Sequence, residues 1–202
     1  MREQILARLE SNLGRVSNLV ELYDIVSGNG QGRRDVHATD ILRAATVLLH
    51  ASLEDVFRSL ATWKFPSAGE EVLNGVPLVG LSEHGQPAKF FLGKLASHRA
   101  KTVQQLIDES VAAYLGRSTL NNCNDIVGYL EKLGVDVAAV NADFPALDRL
   151  IARRHHIVHQ ADRNDQPGQG HHRTRSLNPS TVQAWHDTVD RFLRRVVAEV
   201  PD

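Results

Sequence analysis

An all-α fold is predicted by two observations along this chain of 202 residues. Apolar residues recur at intervals of three and four through most of the sequence, which is the spacing of one buried helix face. Capping residues, glycines and prolines fall between these periodic stretches, where helices begin and end. The length allows one substantial core. We therefore expect a single domain over 1–202, a helical bundle with an irregular insertion around 65–100.

The first part of the chain predicts two long helices. Apolar residues over 5–26 follow helical spacing, and a glycine-rich loop at 28–34 follows them. These glycines do not form a nucleotide-binding fingerprint, because they follow a helix instead of a strand. The second helix begins at Thr39 or Asp40 and continues to about Trp63.

The second helix is apolar around most of its circumference, which predicts a central position in the bundle. Arg43, His50 and Glu54 align along one strip of it. A polar strip on a buried helix must face a polar partner or a cleft. We expect Glu54 to lie within hydrogen-bonding reach of Arg154 or His159, as a supporting residue.

After the second helix, the sequence predicts an irregular segment followed by further helices. Residues 65–98 predict an irregular excursion with one short helix, and a small hairpin is left open there. Helices are predicted over 102–115 and 124–133. A basic loop over 162–178 then precedes a closing helix.

The most informative element is a helix predicted over 143–161, with Asp143 as its N-cap and Pro145 in its first turn. Arg154 falls in the middle of its apolar face, and His155 and His159 flank that face. A buried unpaired guanidinium is costly, so Arg154 should meet an acid, an anionic ligand or a water-filled cleft. The apolar residues of this face are Leu147, Leu150, Ile151, Val158 and Ala161.

Composition limits the classes of function. The net charge of −1 argues against a general polyanion binder, so any nucleic-acid site must be a local patch. Cys123 is the only cysteine, which excludes an internal disulfide. No apolar stretch is long enough to span a bilayer, and the first residues lack the order of a signal peptide. We expect a cytoplasmic protein without a membrane partner.

The run Arg154-His155-His156-Ile157-Val158-His159 has an arginine, four residues and a histidine, and it resembles the motif of HEPN domains. Residues 41–60 look like the central helix of that superfamily. Residues 118–122 and 133–136 are similar to the segment before the motif helix in the RiboL-PSP-HEPN group. The resemblance implies a HEPN-like helical bundle.

The resemblance also implies a function. It indicates a metal-independent endoribonuclease without a cofactor, a homodimer whose motif helices face each other, and a role in toxin-antitoxin or anti-phage systems with an antitoxin or defence-system partner. Arg154 and His159 match the catalytic pair, and His155 matches the polar position after the arginine. The tyrosine that some HEPN toxins place two residues after the histidine is Ala161 here, which puts regulation through such a tyrosine in doubt.

The residue types fit this chemistry independently. An imidazole can accept or donate a proton near neutral pH, and a guanidinium offers fixed donors to phosphate oxygens. One motif offers one clear base, so two copies about a twofold axis would complete the set. Arg153, Arg173 and Arg175 are the predicted contacts to the RNA backbone.

Other interpretations stay open from sequence alone. Arg154 could form an ordinary buried pair with Glu54, and His159 could simply favour the negative end of the helix dipole. A zinc site built from His155, His159 and the pair at 171–172 is disfavoured, because Arg154 would repel the cation. The stronger rival is a non-catalytic adaptor that binds a nucleotide or a protein at the same cleft.

Overall fold

A computed structural model describes residues 1–28, 36–79, 92–164 and 174–201 of the chain. Over these ranges the all-α prediction is confirmed, since they contain seven α-helices and no strand. One isolated antiparallel bridge joins Arg163 to Thr174. The helices are α1 (Arg2–Ser27), α2 (Val36–Lys64), α3 (Glu70–Leu73), α4 (Val103–Arg117), α5 (Cys123–Lys132), α6 (Phe144–Gln160) and α7 (Pro179–Glu199).

The chain divides into two compact units. The larger comprises Met1–Phe57 and Leu120–Asp202, and the smaller comprises Arg58–Thr119. The sequence predicted one domain with an insertion around 65–100, and the smaller unit contains that stretch. No helix in the described ranges has both the length and the apolar character needed to cross a membrane.

The larger unit is built on amphipathic helices. α1 packs along α7, where Ser17 Oγ lies 3.3 Å from His186 Nε2. Both helices bury residues at helical spacing, and each fully buried large aliphatic side chain contributes about 1.5–3 kcal/mol. The buried set on these two helices includes Ile5, Leu9, Leu13, Val16, Val182, Val189, Phe192 and Val196.

Aromatic side chains join four helices of this unit. The ring of Phe57 on α2 lies 5.8 Å from the ring of Tyr129 on α5 and 6.2 Å from that of Phe192 on α7. Phe144, the first residue of α6, lies edge-on to Phe192 at 6.2 Å. These contacts place the start of α6 against the core.

The smaller unit contains the end of α2, a 3-10 turn at Phe65–Ser67, α3 and α4. α4 begins with a capping box in which Thr102 and Gln105 satisfy each other's backbone amides. The predicted short helix corresponds to α3, whereas residues 80–91, where a hairpin was left open, lie outside the described residues. A small apolar cavity of about 100 Å³ is lined by Leu73, Val76, Leu78, Ile107, Ser110 and Val111.

Helix boundaries differ from the predicted ones by a few residues. α2 begins at Val36, before the predicted cap at Thr39 or Asp40. α5 begins at Cys123, because the side chain of Asn122 accepts a hydrogen bond from the amide of Asp125.

Candidate active site on helix α6

α6 begins where the sequence predicted, after Asp143 and with Pro145 in its first turn. Asp143 does not cap the helix through its side chain. Its carboxylate accepts a hydrogen bond from Arg191 of α7 instead. A long-range ion pair therefore replaces the predicted local cap.

The buried face of α6 ends earlier than the helical wheel predicted. Leu147, Leu150 and Ile151 are buried, but Val158 is 49% exposed and Ala161 is also exposed. A helical wheel identifies residues that share a face, but not how far neighbouring elements extend along that face. The apolar core therefore stops one turn before Arg154.

The end of α6 has an unusual backbone. Ala161 and Asp162 adopt positive φ angles of 48° and 54°. Their amides both donate to the carbonyl of His156, at 3.0 Å for Asp162. The left-handed region costs a non-glycine residue about 1–2 kcal/mol, so other contacts must hold this end in place.

The carboxylate of Asp162 supplies those contacts. It is fully buried, and its Oδ2 accepts hydrogen bonds from Arg43 Nε at 2.8 Å and Arg153 Nη2 at 2.7 Å. Its Oδ1 has no hydrogen-bond partner among the described residues. Burial lowers the pKa of the Arg153 guanidinium from its ordinary value, and Asp162 opposes that shift. Arg43, one residue of the predicted polar strip on α2, thus has its partner, an aspartate that the sequence analysis assigned only to a loop.

The same arginines hold the chain that returns to α7. The carbonyl of Arg175 accepts from Arg43 at 2.9 Å and from Arg153 at 3.0 Å. The amide of Arg175 donates to the carbonyl of Asp162 at 2.9 Å. Arg153 also donates to the carbonyl of Ser176 at 3.1 Å. The end of α6, the approach to α7 and α2 therefore meet at one ionic cluster.

His50 and Glu54 clamp the backbone of one residue, Leu120, at its carbonyl and its amide. His50 is buried, with Nε2 2.9 Å from the carbonyl oxygen of Leu120. Oε1 of Glu54 accepts from the amide of Leu120 at 3.0 Å, and its Oε2 lies 3.8 Å from His50 Nδ1. The expected hydrogen bond between Glu54 and Arg154 or His159, with the carboxylate accepting, is not found among the described residues. Glu54 instead satisfies a backbone amide that would otherwise be buried without an acceptor.

Arg154 lies near this clamp but is not paired with it. Burial lowers the pKa of His50, Glu54 and the Leu120 carbonyl oppose that shift, and the charge of Arg154 lowers the pKa further. Arg154 is partly exposed, and within the described part of the chain it makes no hydrogen bond or ion pair. The guanidinium of Arg154 thus keeps its donors for another partner, and its charge disfavours protonation of the buried His50.

The predicted histidines lie on the exposed part of α6. His155 and His159 are both exposed, and their ring centroids are 4.6 Å apart with an interplanar angle of 45°. His156 is partly buried, and its Nδ1 has no partner in the ranges described. The helix therefore presents two adjacent imidazoles to solvent.

The three predicted RNA-contacting arginines have different placements. Arg153 is held in the ionic cluster, with 15% of its side-chain surface exposed. Arg175 is partly buried and contributes its backbone to that cluster. Arg173 lies outside the described residues.

Among the residues that the structure describes, no three histidine, cysteine, aspartate or glutamate side chains group closely enough to hold a metal ion. The histidine pair at 171–172 of the zinc alternative lies outside those residues. Burial, and after it the neighbouring Asp148, raise the pKa of the Cys123 thiol to about 12. This thiol is therefore unsuited to act as a nucleophile or a metal ligand near neutral pH.

Comparison with protein-family models, curated proteins and solved structures finds no match to this chain. The resemblance to HEPN domains therefore stays a prediction carried by the motif residues 154–159. The geometry itself provides an unpaired guanidinium and two exposed imidazoles on the same two turns of helix. Such a set can bind a phosphate and exchange protons with groups attached to it.

Proposed function

We propose that this protein is a metal-independent endoribonuclease that uses Arg154 and His159 of α6. The observation that carries the proposal is the contrast between two neighbouring arginines. Arg153 is paired with a buried carboxylate, whereas Arg154 has no protein partner in the described ranges and shares its helix surface with exposed imidazoles. A cation left without a counter-charge beside proton-transfer groups suits an anionic substrate.

The proposed reaction is an internal transesterification of RNA. The imidazole of His159 accepts the proton of a 2′-hydroxyl as its oxygen attacks the adjacent phosphorus. The bond from phosphorus to the 5′-oxygen breaks, leaving a 2′,3′-cyclic phosphate on one product and a 5′-hydroxyl on the other. Arg154 stabilises the extra negative charge on the phosphate oxygens in the transition state.

The reaction also needs a proton for the leaving 5′-oxygen. His155 could supply it, since its ring lies against that of His159, but a second copy of the motif across a twofold axis offers further imidazoles. Val158 is 49% exposed on the same helix, which suits a contact between copies. The proposal therefore includes a homodimer that acts on RNA in the cytoplasm, under the control of an antitoxin or another defence-system protein.

The test is digestion of total RNA and defined oligonucleotides in EDTA. The wild type should cut single-stranded or loop RNA and leave the two ends named above, and His159→Ala should reduce the rate at least about 100-fold while remaining folded. Sedimentation at micromolar concentration should show a dimer.

Cleavage that EDTA abolishes and a divalent ion restores would overturn the mechanism. An inactive protein that still binds RNA through Arg154 would instead support the adaptor alternative. A monomer with full activity would remove the dimer from the proposal.

A further inference from the structure

The buried carboxylate at the end of α6 has a role that helix termination alone does not require. We infer that Asp162 is a positioning residue for the proposed site. It fixes the last turn that carries His159, and it holds Arg153 away from the substrate so that Arg154 alone is presented to phosphate. This inference rests on the proposed function, and it can be tested partly without it.

The first step of the argument is geometric. Asp162 follows His159 by three residues, and the amides of Ala161 and Asp162 both close onto the carbonyl of His156. Ile151 is the last fully buried residue of α6, and Ile157 beyond it is only partly buried, so the apolar core holds this turn weakly. The side chain of Asp162, bound to Arg43 at 2.8 Å, is what attaches the turn to α2.

The second step concerns the choice of residue. Glycine, asparagine and aspartate all meet a positive φ at lower cost than most residues, and an uncharged glycine or asparagine would serve a turn that only needs to end a helix. A fully buried aspartate adds a negative charge at a site where charge is costly to bury. Two arginines, Arg43 and Arg153, pair with this charge. What aspartate adds over glycine or asparagine is therefore the neutralisation of these two arginines.

The third step is electrostatic. Arg43 has a second carboxylate partner in Asp40, at 2.9 Å. Within the described residues Asp162 is the only acid paired with Arg153, which is next to Arg154 in the chain. Removing the negative charge would leave Arg153 without a counter-charge beside the proposed phosphate site. Because of Asp162, Arg153 supports the fold, and Arg154 remains available to bind phosphate.

The test compares Asp162→Asn with Asp143→Asn. Asparagine keeps the left-handed backbone, and its amide NH₂ can take the place of Oδ1, which has no partner. Asp143→Asn is the matched control, because Asp143 is also largely buried and paired with an arginine but lies at the opposite end of α6. For both folded variants, kcat and KM are measured in EDTA on one oligonucleotide at several salt concentrations.

For Asp162→Asn, kcat should fall about 10–100-fold, because a neutral amide oxygen holds Arg43 and Arg153 more weakly than a carboxylate does and the turn that carries His159 loosens. KM should stay the same or decrease, and the plot of log KM against log salt should steepen by about 0.7 as Arg153 gains a phosphate contact. Adding Arg153→Met should restore the wild-type salt dependence but not kcat. Asp143→Asn should change neither quantity beyond about twofold.

Equal changes in both aspartate variants, or an unchanged salt dependence in Asp162→Asn, would overturn the inference. Amide hydrogen exchange provides a readout that does not need activity. Asp162→Asn should lose protection over 156–162 but keep it over 147–151, and a uniform loss or no loss would also overturn it. If the wild type neither cuts nor binds RNA, the proposed function fails, and the exchange result still decides the positioning role.

Discussion

The two arginines at the centre of α6 have opposite environments although they are neighbours in the chain. Arg153 donates to a buried carboxylate and to two backbone carbonyls, and it joins α6 to the approach to α7. Arg154 donates to no group in the described ranges, and its charge helps to lower the pKa of the buried His50. The sequence Arg153-Arg154 does not distinguish them, and the structure does.

This difference separates scaffold from candidate site within one helix. An arginine that donates to a buried carboxylate and to backbone carbonyls stabilises the fold, and a ligand must compete with those groups for it. An arginine with free donors, next to a group whose charge it disfavours, gains from an anion. Substituting Arg153 or its partner Asp162 should therefore lower stability. Substituting Arg154 should instead lower function.

The largest effect on stability should come from Asp162→Ala. It removes the shared carboxylate, leaves Arg43 and Arg153 without it, and places alanine at a positive φ. The free energy of unfolding should fall by about 3–5 kcal/mol, as measured by urea denaturation. A loss below about 1 kcal/mol would mean that the cluster does not hold the end of α6.

The paired substitutions Arg153→Met and Arg154→Met should have unequal effects. Arg153→Met removes three hydrogen bonds while keeping an apolar stem, and should lower the free energy of unfolding by about 1–3 kcal/mol. Arg154→Met should change it by less than about 0.5 kcal/mol, because no fold contact is lost. Equal losses in the two variants, measured under the same conditions, would remove the contrast between the two arginines.

A smaller effect concerns pH. The pKa of His50 is lowered from 6.5 in the folded protein, so the unfolded state binds a proton more readily. Its contribution to stability is complete above about pH 6.5 and is lost as the pH falls towards the folded-state pKa. His50→Gln should therefore lose less stability than the wild type between about pH 7 and 5, as measured by urea denaturation.

The same histidine reports on Arg154. Because the charge of Arg154 lowers the pKa of His50, Arg154→Met should raise that pKa in an NMR titration of the imidazole. Glu54 and the carbonyl of Leu120 act in the opposite direction and remain in place. A titration unchanged by Arg154→Met would place Arg154 farther from His50 than the account requires.

The helices were predictable because they depend on local pattern. The spacing of Leu147, Leu150 and Ile151 and the Asp143-Pro145 start identified α6, and Gly134, at φ 73°, marks the end of the α5 segment. The need of Arg43 for a polar partner was also readable from its position on an apolar helix.

The position where α6 ends was predicted correctly, near Ala161, but the contacts made at that end were not predictable in the same way. Arg43 and Asp162 are 119 positions apart, and a sequence pattern does not reveal such a pair. The exposure of Val158 depends on how far the neighbouring elements extend along α6. The spacing of apolar residues within one helix gives no information about that extent. The aspartate just after the predicted helix was the only local signal, and it was taken as the start of a loop. For Glu54, the need for a polar partner was correct, but the partner is the amide of Leu120.

The most direct test of the account compares Arg154→Ala with Arg149→Ala. Both remove an arginine from α6, and Arg149 is exposed one turn closer to the start of the helix. Cleavage of one labelled oligonucleotide in EDTA, normalised to folded protein, is measured for both variants and the wild type. The account predicts that Arg154→Ala lowers the rate about 100–1,000-fold and that Arg149→Ala stays within about twofold of the wild type. Retention of activity in Arg154→Ala, or an equal loss in both variants, would contradict the assignment of Arg154 as the phosphate-binding arginine.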